Sequence, residues 1–122
     1  MSACGASSAS SRREVAVVTL NFNGAAFLRP MVESLAPQLP SARARLIVFD
    51  NGSSDGSDRQ VEEMFGSEEW FSVVRSPVNL GFAAGANAAM AGLDEEIVVL
   101  ANSDTVFRPG SLSALLDGLR RH

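Results

Sequence analysis

The fold is predicted most clearly from residues 45–57, which read Arg45-Leu-Ile-Val-Phe-Asp-Asn-Gly-Ser-Ser-Asp-Gly-Ser57. The apolar run at its start is typical of a strand that is buried on both faces of a sheet. Asp50 follows that run without a spacer, and the Gly, Ser and Asp residues after it are typical of a turn that leads into a helix. The stretch therefore predicts a parallel strand with polar side chains at its carboxyl end.

The same pattern recurs along the chain. Strands are predicted at about residues 15–20, 45–50, 70–75 and 96–101, and helices at 25–38, 58–65, 82–93 and from Pro109 onward. Buried strands that alternate with helices predict an α/β fold with a mostly parallel, doubly wound sheet. The buried faces of the first and last helices are predicted from apolar residues at helical spacing: Phe27, Met31, Leu35, Leu112, Leu115, Leu116 and Leu119.

Length and composition restrict the classes of function. The chain has 122 residues, of which 46% are hydrophobic, and this suffices for one domain at 14–122 behind a flexible Ser/Ala tail at 1–13. A net charge of −4 argues against nucleic-acid binding. With one cysteine, Cys4, no internal disulfide can form, and with one histidine, His122, a Ser-His-Asp mechanism has no plausible base.

Targeting signals give little information. No apolar run approaches the roughly 20 residues that cross a membrane, and the first residues lack the apolar block of a secretion signal. We therefore expect a cytoplasmic protein, with the inner face of the membrane as a further option.

Two carboxylates, Asp50 and Asp104, directly follow predicted strands. In doubly wound sheets, ligands bind beyond the carboxyl ends of the strands, where a carboxylate binds a ribose, a base or a hard cation. Capping of a turn would explain either residue alone, but two on one edge favour a ligand site. Asn87 either faces a ligand or caps a neighbouring loop, and Gly81 with Gly85 allows close approach of a ligand or close helix packing. No Gly-rich phosphate loop of a known type is present.

Four segments together resemble the start of a family 2 glycosyltransferase with the GT-A fold. They occur in the family's order and cover about residues 15–122, and the second and third are most similar to the rhamnosyltransferase-type branch. The segments are Val17-Val-Thr-Leu-Asn-Phe-Asn-Gly24, Ile47-Val-Phe-Asp-Asn-Gly-Ser-Ser-Asp-Gly-Ser57, Asn79-Leu-Gly-Phe-Ala-Ala-Gly-Ala-Asn87 and Val99-Leu-Ala-Asn-Ser-Asp-Thr105.

The resemblance implies roles for the residues in these segments. The nucleoside would be bound by Asn21, Phe22, Asn23, Asp50 and Asn51. The sugar-diphosphate would lie near Asn79, Gly81, Phe82, Asn87 and Asn102. Asp104 would bind Mg²⁺ or Mn²⁺, which would bridge the diphosphate of a nucleotide-sugar donor.

Two residues depart from the family pattern. Asn102 stands where the Asp-x-Asp motif has its first carboxylate, which weakens direct metal binding there. Asn51 replaces an Asp that is common in the family, and its amide offers both a donor and an acceptor to a base.

The resemblance also implies a missing half. Family members continue into an acceptor-binding half with a catalytic base, so we expect these 122 residues to be a truncated donor-binding domain that binds donor weakly and transfers no sugar. The full-length form would transfer sugar with inversion to a glycan or lipid-linked acceptor in cell-wall or polysaccharide biosynthesis. The uncovered sheet predicts self-association.

Two other functions remain open. The first is a non-catalytic nucleotide-binding or interaction module. An absence of bound metal and nucleotide would favour it. A nucleotidyltransferase is less favoured, because segment 21–24 lacks the basic residue that its phosphate loop usually carries.

Overall fold

The computed structural model describes residues 14–121, so the predicted tail at 1–13, Cys4 and His122 lie outside the described part. Strands and helices alternate, as the sequence predicts. The strands are β1 (Val15–Asn21), β2 (Ala44–Asn51), β3 (Phe71–Ser76) and β4 (Ile97–Asn102). The helices are α1 (Leu28–Leu35), α2 (Ser57–Phe65), α3 (Phe82–Met90) and α4 (Ser111–Arg121), and a 3-10 turn (Ala36–Gln38) follows α1.

The four strands form one parallel sheet in the order β3-β2-β1-β4. The register places Asn21 beside Asp50 and Leu20 beside Asn102, so the carboxyl ends of β1, β2 and β4 meet at one edge. The chain runs outward from β1 to β3 and then returns to the other side of β1. The point between β1 and β4 is therefore the place where the strand order reverses, and ligands bind at such points in open α/β sheets.

Helices cover both faces of the sheet, which confirms the predicted doubly wound α/β fold. One face packs against α1, α2 and α4 through a core of fully buried side chains that includes Val17, Met31 and Leu116. The other face packs against α3, where Val18 and Phe49 contact Ala89. Apolar burial of this kind is the main force that holds the layers together.

The first and last helices differ in detail from the prediction. Helix α1 begins only at Leu28, which leaves Phe27 56% exposed rather than buried. Pro30 is the third residue of this helix. Its missing N–H costs no helical hydrogen bond, because the N–H groups of the first turn have no partner within the helix. Helix α4 begins at Ser111 rather than Pro109, and Leu115 and Leu119 are 43% and 50% exposed.

Strand β4 is covered on one face only. Ile97 and Val99 pack into the core with α4, whereas Val98 and Leu100 on the opposite face are 39% and 40% exposed. No helix between residues 14 and 121 has the length and apolar character to cross a membrane.

Replacing Leu35 with Ala tests the core between α1 and the sheet. Leu35 is fully buried, so Leu35→Ala should lower the free energy of unfolding by about 2–5 kcal/mol, since it removes apolar contacts and leaves a cavity. Urea denaturation measures the change. Leu119→Ala is the matched control, because Leu119 is half exposed and should change stability by less than about 1 kcal/mol. Equal effects of the two substitutions would contradict this core.

Candidate functional site

Two adjoining pockets lie at the carboxyl ends of the strands. We call the first the switch-point pocket; it has a volume of about 360 Å³ and is lined by Leu20, Phe22, Asn23, Gly24, Phe27, Phe82, Ala101, Asn102, Ser103 and Asp104. We call the second the loop pocket; it has a volume of about 330 Å³ and is lined by Leu20, Asn21, Phe22, Asn51, Asn79, Gly81, Phe82 and Ser103. They share four residues, so together they form one continuous concave surface between β1, β4 and the start of α3.

A buried hydrogen bond between Asn21 and Asp50 lies beneath this surface. Both side chains are at least 97% buried, and Asn21 Nδ2 donates to Asp50 Oδ1 at 3.0 Å and to the Ser57 hydroxyl at 2.8 Å. The carboxylate can only accept, and the Ser57 hydroxyl already donates to Asp55, so these partners fix the amide with its nitrogen toward them. Asn21 Oδ1 then lies against Gly24, where any side chain would collide with it.

Asp50 is used mainly inside the protein. Its Oδ2 accepts a hydrogen bond from the backbone N–H of Ser53 at 2.9 Å, while Oδ1 accepts from Asn21. A hydrogen bond to each oxygen offsets part of the cost of burying this carboxylate. Asp50 thus joins the end of β1 to the turn after β2, and it supports the two pockets from below.

Two further side chains tie the turn after β1 to the turn after β2. Asn23 adopts a left-handed conformation with φ of 50°, which Asn tolerates better than most residues, and its Oδ1 accepts from the Ser54 N–H at 2.8 Å. Asp55 accepts from the Ala25 N–H at 3.0 Å and from the N–H and hydroxyl of Ser57 at the start of α2. The hydrogen bond from the Ser57 hydroxyl is the main cause that holds the pKa of Asp55 below its ordinary value.

The loop before α3 is held by amide side chains. Asn51 Nδ2 donates to the Gly81 carbonyl at 3.2 Å, and Asn51 Oδ1 accepts from the Leu80 N–H at 2.8 Å. Asn79 Oδ1 accepts from the Gly81 N–H at 2.7 Å. No side chain among residues 14–121 caps the amino terminus of α3, which begins at Phe82 beside both pockets.

The switch-point pocket carries one exposed carboxylate. Asp104 lies in the turn after β4, two residues beyond Asn102, and both side chains are exposed in the pocket wall. Of the described residues that line the two pockets, Asp104 is the only acidic one and none is basic. An anionic ligand would therefore find no protein cation there to balance its charge.

The donor set of this pocket fits a hard divalent cation that is shared with a ligand. Mg²⁺ is typically bound through one or two carboxylates, with waters and substrate phosphates as the other ligands. Asp104 supplies one carboxylate, and Asn102 supplies an amide oxygen close by in sequence. Between residues 14 and 121 no three His, Cys, Asp or Glu side chains cluster into a metal site of their own. The protein alone therefore offers too few ligands, and waters or the oxygens of a bound ligand would have to complete the coordination.

Nine of the eleven residues singled out from the sequence line the two pockets. Asp50 lies beneath them, and Asn87 lies on the exposed side of α3, outside the lining of either pocket. The sequence analysis missed Ser103, which lines both pockets, although it lies between Asn102 and Asp104 in a segment already selected. It also missed Phe27, because the helical spacing assigned that side chain to the core.

Comparison with known proteins gives a family and a fold. Residues 16–122 match the model of the family described as glycosyl transferase family 2. No curated protein sequence matches the chain.

Two solved structures illustrate the likeness in fold. The mannosyltransferase PcManGT from Pyrobaculum calidifontis, solved with GDP-Man and Mn²⁺, is 22% identical with a TM-score of 0.69, over 78% of this chain and 28% of that one. TarS 1-349 from S. aureus, solved with UDP-GlcNAc, is 21% identical with a TM-score of 0.77, over 89% and 32%. The chain thus spans about a third of the length of these structures.

The pKa of Asp55 predicts a pH-dependent contribution to stability. Because the folded pKa is depressed, the contribution is complete above the ordinary Asp pKa and is lost as the pH falls through the folded pKa. The stability difference between the wild type and Asp55→Ala should therefore be largest near neutral pH and shrink below about pH 4. Urea midpoints across this range measure it, with Asp117→Ala as a control on the exposed side of α4. A difference that is independent of pH would contradict the assignment.

Proposed function

The chain belongs to glycosyl transferase family 2, and we propose that its α/β domain binds the nucleotide-sugar donor of a glycosyltransferase. The observation that carries this proposal is the position of Asp104. It is the single carboxylate in the lining of two otherwise uncharged pockets, at the point where the strand order reverses. A donor diphosphate needs such a place, where a cation can be held beside it.

The lack of positive charge in the pockets implies that the donor binds together with a divalent cation, Mg²⁺ or Mn²⁺. A nucleoside diphosphate brings negative charge, and no basic side chain lines either pocket in the described part of the chain. Asp104 would hold the cation, with Asn102 supplying a neutral oxygen. When bound, the cation would stabilise the negative charge on the departing nucleotide. Mn²⁺ is present with GDP-Man in the PcManGT structure, which supports the same use here.

The nucleoside is proposed to occupy the side of the pockets formed by the turns after β1 and β2. Phe22 is half exposed and lines both pockets, so its ring is available for contact with a base. Asn23 lines the switch-point pocket and has its amide nitrogen available for a ligand, while Asn21 and Asn51 line the loop pocket. Asp50 contributes from below by fixing Asn21.

The sugar-diphosphate is proposed to lie along the 79–82 segment and the end of β4. Asn79, Gly81 and Phe82 line the loop pocket, and the uncapped amino terminus of α3 favours negative charge. Asn102, at the end of β4, lines the adjoining switch-point pocket, which shares Phe82 with the loop pocket. Asn87 would contribute only at the outer margin, since it lies one turn farther along α3.

The complete reaction is proposed as a single displacement with inversion. The bond from the anomeric carbon to the diphosphate breaks as a bond to the acceptor hydroxyl forms, and a base takes the hydroxyl proton. Asp104 is committed to the cation in this proposal, and no second carboxylate lines the described pockets. We therefore expect this chain to bind donor weakly and to transfer no sugar without further residues.

The remaining expectations about partners and location stay predictions. They are a glycan or lipid-linked acceptor, a role in cell-wall or polysaccharide synthesis, and a cytoplasmic location that includes the inner face of the membrane. Self-association is supported by the exposed face of β4, where Val98 and Leu100 are about 40% exposed.

A non-catalytic nucleotide-binding module is the second candidate. It is favoured by the same lack of a second carboxylate in the pockets. Measurable donor binding without any transfer, even in the presence of neighbouring domains, would favour this candidate. A nucleotidyltransferase is disfavoured, because no basic residue lines the described pockets.

Replacing Asp104 tests the donor site. Asp104→Ala should weaken the Mn²⁺-dependent binding of UDP-GlcNAc or GDP-mannose by at least about tenfold, or about 1.4 kcal/mol, because the cation loses its one protein carboxylate. Isothermal titration calorimetry with and without Mn²⁺ measures this. Asp117→Ala removes an exposed carboxylate of equal charge on α4 and should bind as the wild type does. The proposal fails if the wild-type chain binds neither UDP-GlcNAc nor GDP-mannose in the presence of Mn²⁺, or if Asp104→Ala binds them as tightly as the wild type does.

A further inference from the structure

The side chain of Asn51 spans from β2 to the loop that precedes α3. It is 4% exposed and makes two hydrogen bonds to adjacent backbone groups, donating to the Gly81 carbonyl and accepting from the Leu80 N–H. One planar amide therefore satisfies one acceptor and one donor of the same short loop. Few side chains can do this, because the task needs both functions on one group of this size.

Two glycines allow close packing around Asn51: Gly52 lies against the backbone of the loop, and Gly85 in α3 lies against the Asn51 side chain. A Cβ on Gly52 would lie 2.8 Å from the backbone carbon of Val78 and 2.9 Å from the nitrogen of Asn79. A Cβ on Gly85 would lie 2.9 Å from Asn51 Nδ2. A larger residue at Gly52 would push the loop away, and one at Gly85 would displace the side chain of Asn51. The hydrogen bonds and the close packing are thus two separate indications that this junction is built tightly.

We infer that Asn51 is a positioning residue, whose neutral amide holds the 79–82 loop in the shape that lines the loop pocket. An ionised carboxylate at this position would still accept a hydrogen bond from the Leu80 N–H. Its other oxygen, however, would face the Gly81 carbonyl oxygen, and two buried acceptors without a donor between them repel each other.

The consequence for binding rests on the proposed function. Asn79, Gly81 and Phe82 line the loop pocket, while Asn51 is 4% exposed and its oxygen and amide nitrogen are both bonded to the loop. Asn51 therefore acts on a bound nucleotide sugar through the loop rather than by reading the base with its own amide. Its replacement should alter affinity by loosening the loop.

Protonation provides a direct test, because a neutral carboxyl group has the same donor and acceptor as an amide. In Asn51→Asp, the hydrogen-exchange protection of the Leu80 amide should fall about five- to tenfold at neutral pH, the change expected from one lost hydrogen bond. It should recover as the pH is lowered toward about 4, where the carboxyl becomes protonated. The wild type should show constant protection relative to intrinsic exchange, and Asn51→Ala should lack it at every pH.

Asn79→Asp is the matched control in the same loop. The Asn79 side chain acts as an acceptor toward Gly81, which a carboxylate can do equally well, so this variant should keep Leu80 protected at every pH. Hydrogen exchange at the amide of Val48, in the buried part of β2, reports global folding. If Asn51→Asp unfolds at neutral pH, Asn51→Ala tests the positioning role instead, because it introduces no buried charge. Leu80 protection that is unchanged in Asn51→Ala, or that does not recover in a folded Asn51→Asp at low pH, would overturn the inference.

Titration of UDP and GDP in the presence of Mn²⁺ separates this inference from the proposed function. Affinities are compared as the ratio of Asn51→Asp to wild type at each pH, so that effects of pH on the nucleotide and the metal cancel. Weaker binding at neutral pH that recovers in acid supports both proposals. Loss of Leu80 protection in a protein that binds neither nucleotide supports the positioning role and refutes the donor site. Normal binding with normal Leu80 protection refutes the positioning role alone.

Discussion

The hydrogen bond between Asn21 and Asp50 is the constraint from which the site is built. Parallel pairing of β1 with β2 places these two residues side by side at the ends of strands that are buried on both faces. Buried polar groups in such a place must satisfy each other, because water is excluded. The Asn21 amide nitrogen and both oxygens of Asp50 are satisfied in this way, whereas Asn21 Oδ1 has no hydrogen-bond partner among the described residues. The further hydrogen bonds of the pair reach Ser53 and Ser57, which sets the course of the turn and the start of α2.

The pockets above this pair are unusual in their charge. Amides and aromatic rings make up much of their lining, and Asp104 is the one ionised group among the described lining residues. The arginine on the neighbouring strand, Arg75, is paired with Asp58 and Glu62 on α2, and these pairs raise its pKa. That guanidinium is thus committed to the packing of α2. The chemistry of the site therefore depends on one exposed carboxylate and on neutral hydrogen-bonding groups.

Sequence reasoning located the strands and the edge of the sheet, because apolar runs that end in Asn, Asp and Gly carry this information locally. It could not locate features that distant residues decide. Helix α4 begins at Ser111 rather than at Pro109, and the Gln38 side chain, 74 positions away, accepts the N–H of Leu112 in its first turn. The hydrogen bonds of Asn51 to the 79–82 loop could not be predicted for the same reason. Its partners are the Leu80 N–H and the Gly81 carbonyl, and the sequence does not show where backbone groups lie.

The position of β4 has a consequence for how the protein matures. Among residues 14–121, β4 is the last strand but pairs with the first, so that Val15 aligns with Ile97 and 82 positions separate the partners. Such distant parallel pairings form slowly, because a long loop must close before any contact repays its entropy. During synthesis, β1 to β3 emerge from the ribosome before the residues that complete the pockets. Until β4 docks, a nascent chain has a partly exposed sheet and incomplete pockets, so a ligand of the complete pockets would stabilise the state in which β4 has docked.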